Sequence, residues 1–99
     1  MEKQDRLIIL FDYYEKLLTE SQRVYFTNYY FNDLSLSEIA ENEGVSRNAV
    51  SKELKLTIEK LNSFEEKLKL YSKERKLKNI INKIDNEEIK EELNKIIDE

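Results

Sequence analysis

The run SRNAVSKELK, Ser46 to Lys55, gathers the side chains of this chain best suited to touch a polyanion. If it opens a helix, Ser46 and the neighbouring backbone amides cradle a phosphate at the helix N-terminus. Arg47, Asn48, Ser51 and Lys52 then face a nucleic-acid groove, and Lys55 meets the backbone on the next turn. Arg47 or Lys52 suits the paired acceptors of guanine and Asn48 the donor and acceptor of adenine, each good pair contributing ~1–3 kcal/mol of discrimination. Each residue also has a plainer role: Ser46 caps a helix, the charged side chains solvate it, and Glu53 on the same helix repels phosphate.

These residues can act together only if the preceding chain aims them. The chain's single glycine, Gly44, stands just before them in SLSEIAENEGVSRNAVSKEL, Ser35 to Leu54. A helix-turn-helix reverses direction within three or four residues, and a left-handed residue at the first helix's C-terminus makes that turn. Ser35 with Glu38 is a capping box, which starts a helix near Leu36, and Ser46 caps a second. Leu36, Ile39 and Ala40 share one face of the first helix, Val45 plugs the turn, and Val50 with Leu54 is the inner stripe of the second.

Composition narrows the chemistry. The chain has 99 residues, no proline, no histidine and no cysteine. Its abundance of Glu, Lys, Leu, Ile and Asn predicts one all-α unit. No thiolate or imidazole nucleophile, glycine-rich phosphate loop or metal-spaced ligand cluster is present, so an enzyme is not expected, nor any cofactor or metal. The acidic run from Glu87 to Glu99 lacks the alternating oxygens and glycine of a calcium loop. Met1 is followed by charged residues and no apolar run nears the ~18 residues of a membrane span, which predicts a cytoplasmic protein.

The net charge of −4 conceals segregation. Residues 1–45 hold four basic and nine acidic side chains, a net −5, and residues 85–99 hold two and seven, again −5. Between them, residues 46–60 are +2 and residues 61–84 are +4. Charge separated in this way steers a polyanion to one face while the remainder repels it.

Two helices precede the motif. Leu7, Leu10, Phe11, Tyr14 and Leu17 recur at helical spacing from about Lys3 to Leu18, one buried stripe. Thr19 with Gln22 is a second capping box, opening a helix to about Phe31. On it Tyr25, Phe26 and Tyr29 form a stripe under the motif, while Val24 and Phe31 point elsewhere. A helix apolar on two sides has two neighbours; the second is the N-terminal helix of this chain or of another copy. At helical spacing such aromatics are core or dimer interface before they are platforms for bases.

After Val50, the residues Leu54, Ile58, Leu61, Phe64, Leu68 and Tyr71 continue one apolar stripe with no glycine or proline between them. A single helix of about 25 residues follows from that pattern. Two amphipathic segments come next, Leu77 to Ile84 and Ile89 to Ile97, with a turn and N-cap at Asp85 and Asn86. Residues 1–71 thus form a helix-turn-helix domain with an extended fourth helix, and residues 72–99 a helical tail. Folding back on the long helix and pairing with a second copy's tail bury the same leucines, and the heptads are too short to specify a coiled coil.

The stretch Leu18 to Leu61 resembles region four of bacterial sigma factors and the LuxR-type DNA-binding helices. Residues 5–71 resemble the small YlxM-type proteins more closely: LxxLFDYYxxLLTxxQ at Leu7 to Gln22, then SLSEIAENEGVSRNAV, then EEKLKLY at Glu65 to Tyr71. That resemblance implies a DNA-binding regulator with a link to the signal recognition particle pathway. The sigma-factor resemblance matches Arg23 to a basic residue early in the supporting helix. Ser51, Lys52 and Glu53 stand where relatives often carry a Tyr-Asp-Asn-like run, so the family's base contacts do not transfer. With few cations on one recognition helix, a homodimer on duplex DNA is expected, its affinity steeply salt-dependent. The alternative is an adaptor that binds signal recognition particle RNA or protein.

Overall fold

The computed structural model describes residues 2–99, with side chains from Gln4 onward; Met1 lies outside the described residues. Among these residues the chain is all-α: α1 (Glu2–Tyr14), α2 (Glu20–Tyr30), α3 (Leu36–Glu43), α4 (Arg47–Leu68), α5 (Leu70–Ile81) and α6 (Glu87–Ile97), with a 3₁₀ turn at Glu15–Leu17. The molecule is elongated, 55 × 24 × 24 Å. In the wider part α1, α2 and α3 each pack on α4, while α5 leaves the end of α4, touches α1 and pairs with α6.

The helix starts are local chemistry. Both capping boxes form completely: the Thr19 hydroxyl accepts from the Gln22 amide and the Gln22 side chain from the Thr19 amide, and Ser35 and Glu38 do the same. Asn86 caps α6 through the Ile89 amide. Gly44 ends α3 in the left-handed region at φ 69°. The Val45 amide then bonds back to the Ala40 carbonyl at 3.0 Å, closing the turn. A Cβ at Gly44 would meet no heavy atom within 4 Å, so the backbone angle alone favours glycine there.

The core joins Leu10, Phe11, Tyr14 and Leu18 to Tyr25, Phe26, Ile39, Ala40, Val50, Leu54 and Leu61. Phe11 stacks on Phe26 with centroids 4.4 Å apart, and Tyr30 lies 4.5 Å from Phe26. The second neighbour of α2 is therefore α1 of the same chain. Arg23 fastens that junction, its Nη1 donating to the carbonyls of Leu18 at 2.7 Å and Glu15 at 3.3 Å.

Four expectations fail for identifiable reasons. Leu17 does not extend the α1 stripe, because the helix tightens into the 3₁₀ turn after Tyr14; Leu18 is buried and Leu17 is 54% exposed. Tyr29 is exposed and Tyr30 takes the inner contact with Phe26, since α2 turns its aromatic face towards α1 as well as the motif. Val45 does not plug the turn but stands 39% exposed, its backbone held while its side chain projects outward. The long helix is also interrupted: α4 stops at Leu68, and Lys69 adopts φ 57° before α5 begins.

That elbow is built around a buried polar pair. The Tyr14 hydroxyl donates to Glu65 Oε1 at 2.6 Å and accepts from the Leu70 amide at 3.1 Å. Glu65 in turn accepts the amides of Tyr71 and Ser72 at 3.1 and 3.0 Å. The first three amides of α5, which no helical carbonyl can reach, are all satisfied this way. A carboxylate beside a helix N-terminus is also favoured by the helix dipole.

Candidate nucleic-acid interface

Ser46 caps α4 in the structure: its hydroxyl accepts from the Ala49 amide at 3.0 Å. Arg47 and Asn48 open the first turn and are exposed residues at the tip of the motif. Val50, Leu54, Thr57 and Leu61 face inward. Opposite them, at spacings of four, three and four, lie Asn48, Lys52, Lys55 and Glu59, all exposed. Arg47 and Ser51 form a flank of this stripe. Arg47 is exposed and Ser51 half-buried, so Ser51 presents less of its hydroxyl outward than Asn48 or Lys52.

Glu53, an acid on the recognition helix, is turned to the other flank. The buried Gln22 donates through Nε2 to Glu53 Oε1 at 2.9 Å, and Lys60 Nζ reaches Gln22 Oε1 at 3.3 Å. This bridge fixes the rotation of α4 against α2, and it draws a carboxylate away from the outward stripe. The acids left on that face are Glu59, about three turns in from the tip by helical spacing, and Glu66, about five turns in.

Two exposed apolar positions escaped the sequence reading, Ala49 and Leu56. Both lie beside the cationic stripe by helical spacing. The signal was present, since neither falls on the inward spacing of Val50, Leu54 and Leu61. The Tyr14–Glu65 pair carried no such signal, because its members are 51 positions apart.

Two packed helices joined through a left-handed glycine, supported by a third and exposing the capped start of the second, define the class as helix-turn-helix. The family model described as "Putative helix-turn-helix protein, YlxM / p13 like" matches residues 1–99. UPF0122 proteins of Bacillus cereus strain AH187, Bacillus anthracis strain A0248 and Bacillus thuringiensis subsp. konkukian strain 97-27 are each 40% identical to this chain over 103 residues. Each match covers 99% of this chain and 94% of the relative. The chain belongs to the YlxM / p13-like helix-turn-helix family. The match includes α5 and α6, and so extends past the residues 5–71 that carry the resemblance in sequence. No helix among the described residues is long and apolar enough to cross a membrane.

Proposed function

We infer that this protein is a non-enzymatic, cytoplasmic regulator that binds duplex DNA through the outward stripe of α4. The observation that supports this most is the arrangement of Asn48, Lys52 and Lys55 on one exposed face, behind a tip capped by Ser46. In this reading the Arg47 and Asn48 amides hold a phosphate, and Arg47 and Lys52 contribute charge-assisted bonds to backbone or guanine.

The regulator acts as a homodimer. Leu77 and Ile80 on α5 and Ile89 and Ile96 on α6 are exposed, more apolar surface than an isolated hairpin favours leaving in water. The basic α5 and acidic α6 share no ion pair among the described residues, so Lys73, which lies outside the elbow cleft, and the acids of α6 retain charge for the opposite helix of a second copy. An isologous pairing of the two hairpins satisfies both features and presents two motifs to one duplex.

Fluorescence anisotropy with duplex DNA across a salt series tests the reading. Arg47→Ala with Lys52→Ala should weaken binding by about a hundredfold and flatten the salt slope by about 1–2. No binding to any duplex at low salt, or an unchanged affinity in that variant, would refute it. Competition against signal recognition particle RNA and protein discriminates the adaptor alternative, which predicts that these partners displace DNA.

A further inference from the structure

The basic charge of residues 61–84 takes no part in the α4 interface. By helix rise, the elbow at Lys69 lies ~33 Å along α4 from its tip, too far for one phosphate to bridge. There an open cleft of about 750 Å3 runs between α1, α4 and α5. Arg6 enters it from α1, Lys69 from the elbow, and Arg75 and Lys76 from α5, with Ser72 and Asn79 beside them.

Opposing charge in this cleft is small. Glu65 partly offsets Arg6, but its oxygens are committed to Tyr14, Tyr71 and Ser72. Glu66 is then the one exposed carboxylate of the lining. Among the described residues, none of the four cations stands within salt-bridge distance of an acid; the pair that forms, Lys78–Glu74, is elsewhere on α5. Arg75 lies over the Tyr71 ring, 5.4 Å from its centroid, which orients the guanidinium. Like charges around one concavity repel unless an anion joins them, and walls of low dielectric focus their field inward. The volume falls within the ~300–1,000 Å3 of small-molecule sites, while the polar lining departs from their usual apolar character and selects for charge.

We propose that the elbow cleft is a second phosphate-binding site, formed by Arg6, Lys69, Arg75 and Lys76, that takes the phosphates of a nucleotide or of a nucleic-acid backbone. Phosphate suits this set because a guanidinium pairs with two of its oxygens at once while the ammonium groups act as point charges. The site stands independently of the α4 interface and shares no residue with it.

The test is an NMR titration of the isotope-labelled full chain at low salt with two probes, ATP and a short single-stranded oligonucleotide. The amides of Ser72, Arg75 and Lys76 should shift and saturate. Arg75→Gln with Lys76→Gln should lower affinity for the effective probe about tenfold or more, the effect of losing one charge-assisted bond. Lys83→Gln with Lys95→Gln removes equal charge at exposed positions outside the cleft and should change it less than about twofold. Saturation by ATP supports the site and identifies free nucleotide as sufficient; response to the oligonucleotide alone supports it with a polymer backbone as source. Absence of shifts with both probes, or equal losses in the two variants, overturns it. Arg47→Ala with Lys52→Ala should leave the cleft shifts intact, so failure of the duplex reading is separable.

Discussion

The Tyr14 hydroxyl and Glu65, 2.6 Å apart and both buried, join α1 to the last turns of α4 and together cap α5. The direction in which the tail leaves the body therefore depends on one phenol and one carboxylate. Their effects on each other's protonation follow from the same geometry. Burial, then the bond to Glu65, raises Tyr14 from 10.0 to about 12. Burial pushes Glu65 upward, but hydrogen bonds from Tyr14 and the Ser72 and Tyr71 amides, with the charge of Arg6, outweigh it and leave the carboxyl below its ordinary value.

Tyr14→Phe should lower the free energy of unfolding by about 1–3 kcal/mol, since it leaves the Leu70 amide without its acceptor and takes one of three donors from the buried Glu65 carboxylate. Glu65→Gln should cost a similar amount. Because the two share one network, the double variant should lose clearly less than the two losses combined. Urea denaturation checks this, and strict additivity would show that the pair does not act as a unit.

The pair also predicts two limbs in stability against pH. Glu65 has a folded value depressed from 4.5, so its contribution is present above that value and is lost as pH falls through the folded one. Tyr14 is raised, so its contribution is complete below pH 10 and is lost as pH rises through about 12. Denaturation midpoints across this range should fall at both ends. Glu65→Gln should flatten the acid limb and Tyr14→Phe the alkaline one; limbs unaltered in both variants would assign the dependence to other groups.

Gly44 and Lys69 occupy the same left-handed region with opposite side-chain suitability. Gly44→Ala should destabilise by about 1 kcal/mol from backbone strain alone, since space for the methyl exists. Lys69→Gly should be neutral or stabilising by up to about 1 kcal/mol, strain relief being offset in part by added freedom in the unfolded chain. Thermal unfolding of both variants compares them directly. Equal destabilisation would mean that the Lys69 side chain, and not the backbone angle, is what the elbow requires.

Light scattering should find the full chain dimeric. Ile80→Glu with Ile96→Glu alters exposed positions, so the helices should persist by circular dichroism while the mass halves. A monomeric parent, or a dimer indifferent to the change, would locate no interface on the hairpin.

The motif was legible from Ser35 to Leu54 because every feature that makes it acts within a few residues. Thr19 with Gln22, Ser35 with Glu38, Ser46 and Asn86 each cap the helix they precede, and Gly44 turns where its own backbone permits. The inward positions Ile39, Val50, Leu54 and Leu61 followed from helical period alone. Leu17, Tyr29 and Val45 did not, because periodicity assumes an unbroken helix and a known set of neighbours. The 3₁₀ turn after Tyr14 and the packing of α2 on α1 violated those assumptions.

By itself, then, the sequence determined the all-α class, the starts of α2, α3, α4 and α6, the turn at Gly44 and the separation of charge along the chain. These are short-range properties, set by side chain on adjacent backbone and by the order of residues. Tertiary structure alone decided the break at Lys69, the turning of Glu53 towards Gln22, and the gathering of Arg6 with Lys69, Arg75 and Lys76. Each of these depends on groups far apart in the chain meeting in space: a lysine holds the left-handed conformation here with Tyr14 and Glu65 satisfying the amides beyond it, and no local pattern encodes that meeting.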